Sequence, residues 1–95
     1  MYNPLPAFLT IGRSGIHGLG LFATEDIPVN IDLGMSHLEV DGVIVRTPLG
    51  GFYNHSESPN CRREKVGEKQ WNLYTIKDIK AGEELTATYG FYDPR

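Results

Sequence analysis

Cysteine is all but missing from this 95-residue chain: Cys61 stands alone, which excludes an internal disulfide and any cysteine-rich zinc cluster. A lone thiol suits a reducing compartment, and Cys61 reads as a small packed residue. No apolar run approaches membrane-spanning length. The opening Met1-Tyr2-Asn3-Pro4-Leu5-Pro6 has neither the charged nor the apolar block of a signal peptide. A soluble, intracellular protein is expected, with cytoplasm and nucleus undistinguished. Basic charge is short as well. Nine Lys plus Arg face twelve Asp plus Glu, a formal net charge of -3, so the clustered positive footprint of a nucleic-acid binder is absent. A basic peptide is the better-matched partner. No segment keeps the 3.6-residue period over the length of a long helix. His17, His37 and His55 show no paired ligand spacing, so no metal site is expected.

What the chain does contain is β-prone and full of turns. Ninety-five residues bound a single domain, residues 1–95, near the size at which one core holds without staples. A duplicate copy could still complete so small a site, and a homodimer is an open expectation. Eleven glycines exceed the usual share of roughly 7% and imply many tight backbone positions.

In chain order, Ala7-Phe8-Leu9-Thr10-Ile11 reads as a first strand ending at Gly12. The turn Ser14-Gly15-Ile16-His17-Gly18-Leu19-Gly20 leads into Leu21-Phe22-Ala23-Thr24, a second strand. Glycines so spaced let backbone approach a ligand closely, yet the pattern fits neither the dinucleotide fingerprint nor a P-loop. Asp26-Ile27-Pro28-Val29-Asn30-Ile31-Asp32-Leu33 is echoed by Asp78-Ile79-Lys80-Ala81-Gly82-Glu83-Glu84-Leu85. Asn and Gly tolerate a left-handed turn best, so a duplicated β unit with one turn geometry is expected. Asp41-Gly42 between apolar-rich runs predicts a hairpin over residues 38–45. Residues 62–70 are charged and predict a solvated hairpin arm. Trp71-Asn72-Leu73-Tyr74-Thr75-Ile76 predicts a strand with Trp71 and Tyr74 in core packing, and Glu84-Leu85-Thr86-Ala87-Thr88-Tyr89 predicts a last strand.

Between the two β-rich halves lies Tyr53-Asn54-His55-Ser56-Glu57-Ser58-Pro59-Asn60-Cys61. Its Asn and Ser side chains favour turns, Pro59 fixes φ, and Ser58 is pushed out of the helical region. A buried loop is expected, with no regular strand or helix. Such a loop must satisfy its backbone groups with its own side chains or with a ligand.

Three blocks then stand in fixed order: Gly18-Leu19-Gly20 with Leu21-Phe22-Ala23; Asn54-His55-Ser56 with Pro59-Asn60-Cys61; and Ala81-Gly82-Glu83-Glu84-Leu85-Thr86 with Tyr89-Gly90. Together, from about Ile11 to Tyr92, the chain resembles the SET-domain protein lysine methyltransferases, in a minimal form without cysteine-rich flanking regions. The resemblance implies a mainly β fold, the β-clip of several small curved sheets, with a knot-like crossing where the central loop meets the C-terminal segment. It also implies methyl transfer from S-adenosylmethionine to a lysine side chain of a protein or peptide. By the same resemblance Gly18, Leu19, Gly20, Asn54 and His55 bind the cofactor, Tyr89 is catalytic, and Ser56, Pro59, Asn60 and Cys61 are structural. Two positions depart from the pattern: Gly51 stands where relatives often carry arginine, and Ala87 where they often carry an aromatic. The insert before the central loop is also short. A catalytically silent module binding a peptide is therefore the alternative, and Phe91 or Tyr92 is a candidate cover for the adenine.

Overall fold

The computed structural model describes residues 5–88, which form eight strands and one short helix arranged as two four-stranded sheets. The strands are β1 (Leu9–Arg13), β2 (Leu19–Ala23), β3 (Asp32–Val40), β4 (Val43–Arg46), β5 (Asn54–His55), β6 (Cys61–Lys65), β7 (Gln70–Thr75) and β8 (Glu84–Ala87). The helix, α1, spans Pro48–Phe52. One sheet runs β1-β2-β8-β5 and the other β4-β3-β7-β6. This is the expected mainly β architecture.

Local chemistry accounts for most of the elements. Asp41 and Gly42 take φ of 51° and 79° between β3 and β4, the positive φ at both central residues that a tight hairpin needs. The charged segment forms the predicted arm, with β6 pairing β7 from Cys61↔Thr75 to Lys65↔Trp71. The echo is structural too. Ile27 and Ile79 exchange backbone hydrogen bonds of 2.7 and 2.8 Å, and Asn30 (φ 65°) and Gly82 (φ 90°) occupy the same left-handed position in the two copies. Each aspartate caps the other copy: Val29 N donates to Asp78 Oδ1 at 3.0 Å and Ala81 N to Asp26 Oδ1 at 2.9 Å.

Three expectations need correction. The central segment is not free of regular structure, because Asn54 and His55 form a short parallel ladder with Thr86 and Ala87. The ladder satisfies backbone groups that a buried loop leaves wanting. Thr47-Pro48-Leu49-Gly50-Gly51 reads in sequence as a break between strands, whereas residues 48–52 wind into α1. Thr47 caps the helix by accepting from Gly50 N, and Pro48 occupies the first turn, where its missing N–H costs nothing. Trp71 and Tyr74 are half-buried on β7 rather than part of the core. Lys65 Nζ stands 5.4 Å from the Trp71 ring centroid and the Arg62 guanidinium carbon 5.5 Å from that of Tyr74. Such amphipathic rings pack against cations while keeping a polar edge near water.

The core is built from aliphatic side chains of both sheets and the helix: Leu9, Leu21, Leu33, Leu49, Leu73, Ile79 and Leu85, with Ala23, Ile27, Tyr53, Cys61 and Ala87. Cys61 is the small packed residue expected, and burial pushes its thiol up to about 12. Helix α1 docks so closely on β3 that a Cβ at Gly50 would overlap the Ser36 carbonyl oxygen and lie 3.0 Å from His37 Cε1. That contact fixes where the chain enters the Tyr53-Asn54-His55 segment.

Candidate active site

The glycine turn is closed by its own first residue. Ser14 N donates to Gly18 O at 2.8 Å, and Ser14 Oγ accepts from Ile16 N and His17 N at 2.8 and 3.2 Å. Gly18 holds φ at 50° with open space where a Cβ would stand, so its requirement is conformational. Gly20 has a different reason. A Cβ there would overlap Glu84 Oε2 and sit 3.2 Å from Asn54 Nδ2. Gly20 is bare because two polar side chains lie against its backbone, rather than because a ligand occupies that spot. Ile16 and Leu19 are more than half exposed on the turn.

Those two side chains form the hub of the site. Asn54 is 7% exposed, and its Nδ2 lies within bonding distance of four acceptors: Glu84 Oε2 (2.8 Å), Ser14 Oγ (3.0 Å), His17 O (3.1 Å) and Leu19 O (3.1 Å). Two hydrogens serve these four, so the amide's donor side is turned into the protein. Ser14 Oγ in turn donates to the Glu84 carboxylate, 2.7 and 2.9 Å from its oxygens. One amide and one carboxylate thus bind the glycine turn, β5 and β8 together. Three of the five expected cofactor residues, Leu19, Gly20 and Asn54, meet at this hub, and Gly18 lies in the same turn.

His55, the fifth, is placed next to the hub through the β5 ladder. Its ring is half-buried, and Nε2 meets Glu57 Oε2 at 2.7 Å near the surface.

The rest of the central segment is bound to β8. Asn60 Nδ2 donates to Glu84 O and Asn60 Oδ1 accepts from Thr86 N, both at 2.8 Å, which is the structural role expected of it. Ser56 N donates to Ala87 O at 3.2 Å, and Thr88 Oγ1 donates to Ser56 O at 3.1 Å. The meeting of central loop and C-terminal segment is therefore in place up to Thr88. Tyr89, and with it Phe91 and Tyr92, lies outside the described residues.

Behind this loop sits a cluster that the sequence did not announce. Tyr53 is buried, His37 stands edge-on to its ring with centroids 6.4 Å apart, and Arg63 Nη1 donates to Tyr53 Oη at 2.7 Å and to Thr88 O at 3.2 Å. Burial, followed by the charges of Arg63 and Arg46, lowers the His37 pKa to about 4. Ser14, Glu84 and Arg63 are the site residues that sequence reasoning missed. Glu84 stood inside a recognised block and Ser14 at the start of the glycine turn, but nothing local announces a contact across 70 residues. Among the described residues no group of three His, Cys, Asp or Glu side chains comes together, and no helix is long and apolar enough to cross a membrane.

Known proteins share the sequence pattern and the fold. A histone-lysine N-methyltransferase, H3 lysine-4 specific, from Aspergillus oryzae is 32% identical over 83% of this chain and 9% of its own length. The protein of the same description from Candida albicans is 31% identical over 87% of this chain and 11% of its own. The chain thus spans about a tenth of the length of these curated relatives. The first alignment runs over 113 positions, more than the 95 residues available, so it opens gaps in this chain. A Plasmodium falciparum structure assigned as a histone methyltransferase shares the fold, with a TM-score of 0.75 at 22% identity over 96% of this chain and 100% of that one. The SET domain family matches residues 32–90, taking in every strand from β3 to β8 together with Asn54, Glu84 and Tyr89, and so the chain belongs to the SET-domain family.

Proposed function

We propose that the chain is a protein-lysine N-methyltransferase that uses S-adenosylmethionine. The observation that carries this reading is the hub itself. Asn54 and Glu84 draw the glycine turn, the Asn54-His55 ladder and β8 to one point, so three blocks far apart in sequence share one site. The fit to the cofactor rests on two features of that point. The turn carries open space above Gly15 and Gly18, and exposed apolar surface at Ile16 and Leu19 flanks a polar base. Gly18, Leu19, Gly20, Asn54 and His55 would hold the cofactor, which supplies an electrophilic methyl on a sulfonium when bound.

The chain's own task is alignment and a neutral nucleophile. A lysine with an ordinary pKa near 10.4 costs roughly 4–5 kcal/mol to present uncharged at neutral pH. An apolar channel lowers that cost by disfavouring the ammonium form. Tyr89 follows directly on Thr88, whose hydroxyl and carbonyl are both tied down. Its hydroxyl orients the reacting amine, and an ordinary pKa near 10 makes it a poor base at neutral pH. The net charge of -3 suits a basic substrate, and the fungal relatives named for histone H3 lysine-4 point to a histone or another lysine-rich protein.

The test is Tyr89→Phe, which keeps the ring and removes the hydroxyl. The single-turnover rate should fall at least about tenfold, roughly 1.4 kcal/mol of transition-state stabilisation, with cofactor affinity nearly unchanged. Methyl-labelled cofactor, a mixture of lysine-rich proteins and mass spectrometry provide the assay. A destabilised variant with a normal rate would move Tyr89 to the scaffold, and a wild-type protein that binds peptide without labelling it would favour the silent module.

A further inference from the structure

We propose that Arg63 is a positioning residue for methyl transfer: its guanidinium holds the backbone one residue before Tyr89 and ties it to the residue before Asn54. The inference rests on the role given to Tyr89 above. Strand β6 carries three cations, and they behave differently. Arg62 bonds Glu64 at the surface through Nε, 2.7 Å from Oε2. Lys65 lies near the Trp71 ring. Arg63 alternates to the opposite face from Arg62 and Glu64, pairing in register with the fully buried Leu73. A charge on that inner face pays for desolvation unless it is well bonded.

Its bonds are placed at both ends of the site. One nitrogen, Nη1, reaches Tyr53 Oη at 2.7 Å and Thr88 O at 3.2 Å, and the guanidinium carbon stands 6.0 Å from the Tyr53 ring centroid. Charge-assisted bonds of this kind are roughly twice as strong as neutral ones. Tyr53 precedes Asn54, whose amide anchors the glycine turn, and Thr88 precedes Tyr89. Arg63 therefore sets the spacing between the cofactor side and the catalytic side from behind, touching neither substrate nor cofactor. Without it, Thr88 retains its hydroxyl bond to Ser56 O, which leaves the segment attached but free to pivot. A misplacement of about 1 Å costs about a hundredfold in rate where alignment dominates.

Arg63→Met should lower the single-turnover rate about ten- to a hundredfold, with cofactor affinity changed less than about twofold. Arg63→Lys should restore part of the rate, because an ammonium can still donate to the acceptors that Nη1 now serves but sits on a shorter, more flexible stem and is held less firmly. A readout independent of turnover is amide hydrogen exchange. Peptides covering residues 84–88 should exchange faster in Arg63→Met, while those covering β1 and β2 stay unchanged. A lowered melting temperature with a normal rate per folded molecule, or unchanged exchange at residues 84–88, would overturn the proposal. Should Arg63→Met fail to fold, Arg63→Lys and Tyr53→Phe carry the test, and wild-type rates in both would overturn it. Failure of the underlying reading looks different: Tyr89→Phe would match wild type in rate, while the exchange contrast at residues 84–88 would still report on Arg63.

Discussion

At the scale of single residues, the groups that matter most are those whose neighbours are remote in sequence. Gly20 looks like a ligand-facing glycine in sequence, and its actual constraint is the Glu84 carboxylate and Asn54 amide pressed against it. His37 shows no ligand spacing in sequence, and in the structure it is the described histidine with a marked electrostatic signature. It is 2% exposed, shares a 2.9 Å hydrogen bond with Ser36 Oγ through Nδ1, and is faced by Arg63 and Arg46. Its pKa falls from 6.5 in the unfolded chain to about 4 in the folded one. Between those values the unfolded chain binds more protons, so stability must rise with pH through this window and be complete above 6.5. The gap is worth up to about 3 kcal/mol. Urea midpoints at pH 7 and pH 4.5 should therefore differ more in the wild type than in His37→Gln, which cannot titrate. Equal differences in the two proteins would show that groups other than His37 carry the acid sensitivity.

At the scale of elements, the legible parts were those whose chemistry is local. Asp41-Gly42 announced a hairpin because positive φ at two successive residues admits few other pairs. Asn30 and Gly82 announced matching turns for the same reason. The reciprocal capping is a tertiary consequence of that repeat, and it predicts equivalence. Asp26→Ala and Asp78→Ala should each cost about 1 kcal/mol, since each leaves one backbone N–H without its carboxylate. The double variant should depart from additivity because both caps close one unit. Denaturant unfolding of the three variants measures this, and a neutral Asp78→Ala would break the equivalence. Illegible were the β5–β8 ladder and the bond between Ser14 and Glu84. A two-residue parallel pairing has no periodic signature, and a hydroxyl and a carboxylate 70 residues apart look like ordinary surface groups until the sheet is assembled. The partial burial of Trp71 was hidden likewise, because alternation along β7 identifies a face without saying how far the core extends along it.

For the whole molecule, the decisive feature is that the last described strand is an inner one. β8 lies between β2 and β5, pairing antiparallel with Leu21 and Phe22 on one side and parallel with Asn54 and His55 on the other. The glycine turn and the Asn54-His55 pair share a sheet only through it, and Leu85 and Ala87 place its side chains in the core. Folding thus waits for the most distant pairings in the chain, which is the costly order for loop closure. Two truncations separate fold from chemistry. A chain ending at Ala81 loses β8, exposes the ladder edges of β2 and β5, and should show no cooperative melt. A chain ending at Thr88 keeps every core residue among those described, the Asn54–Glu84 hub and both ties on Thr88. It should melt cooperatively within a few degrees of the full chain, where about 1 kcal/mol corresponds to roughly 4–8 °C for this size. Because it lacks Tyr89, it should transfer no methyl group. Calorimetry and single-turnover labelling on the same preparations read both properties. A chain ending at Thr88 that labels lysine at the full rate would remove Tyr89 from the chemistry, and one that fails to melt cooperatively would place part of the scaffold beyond Thr88.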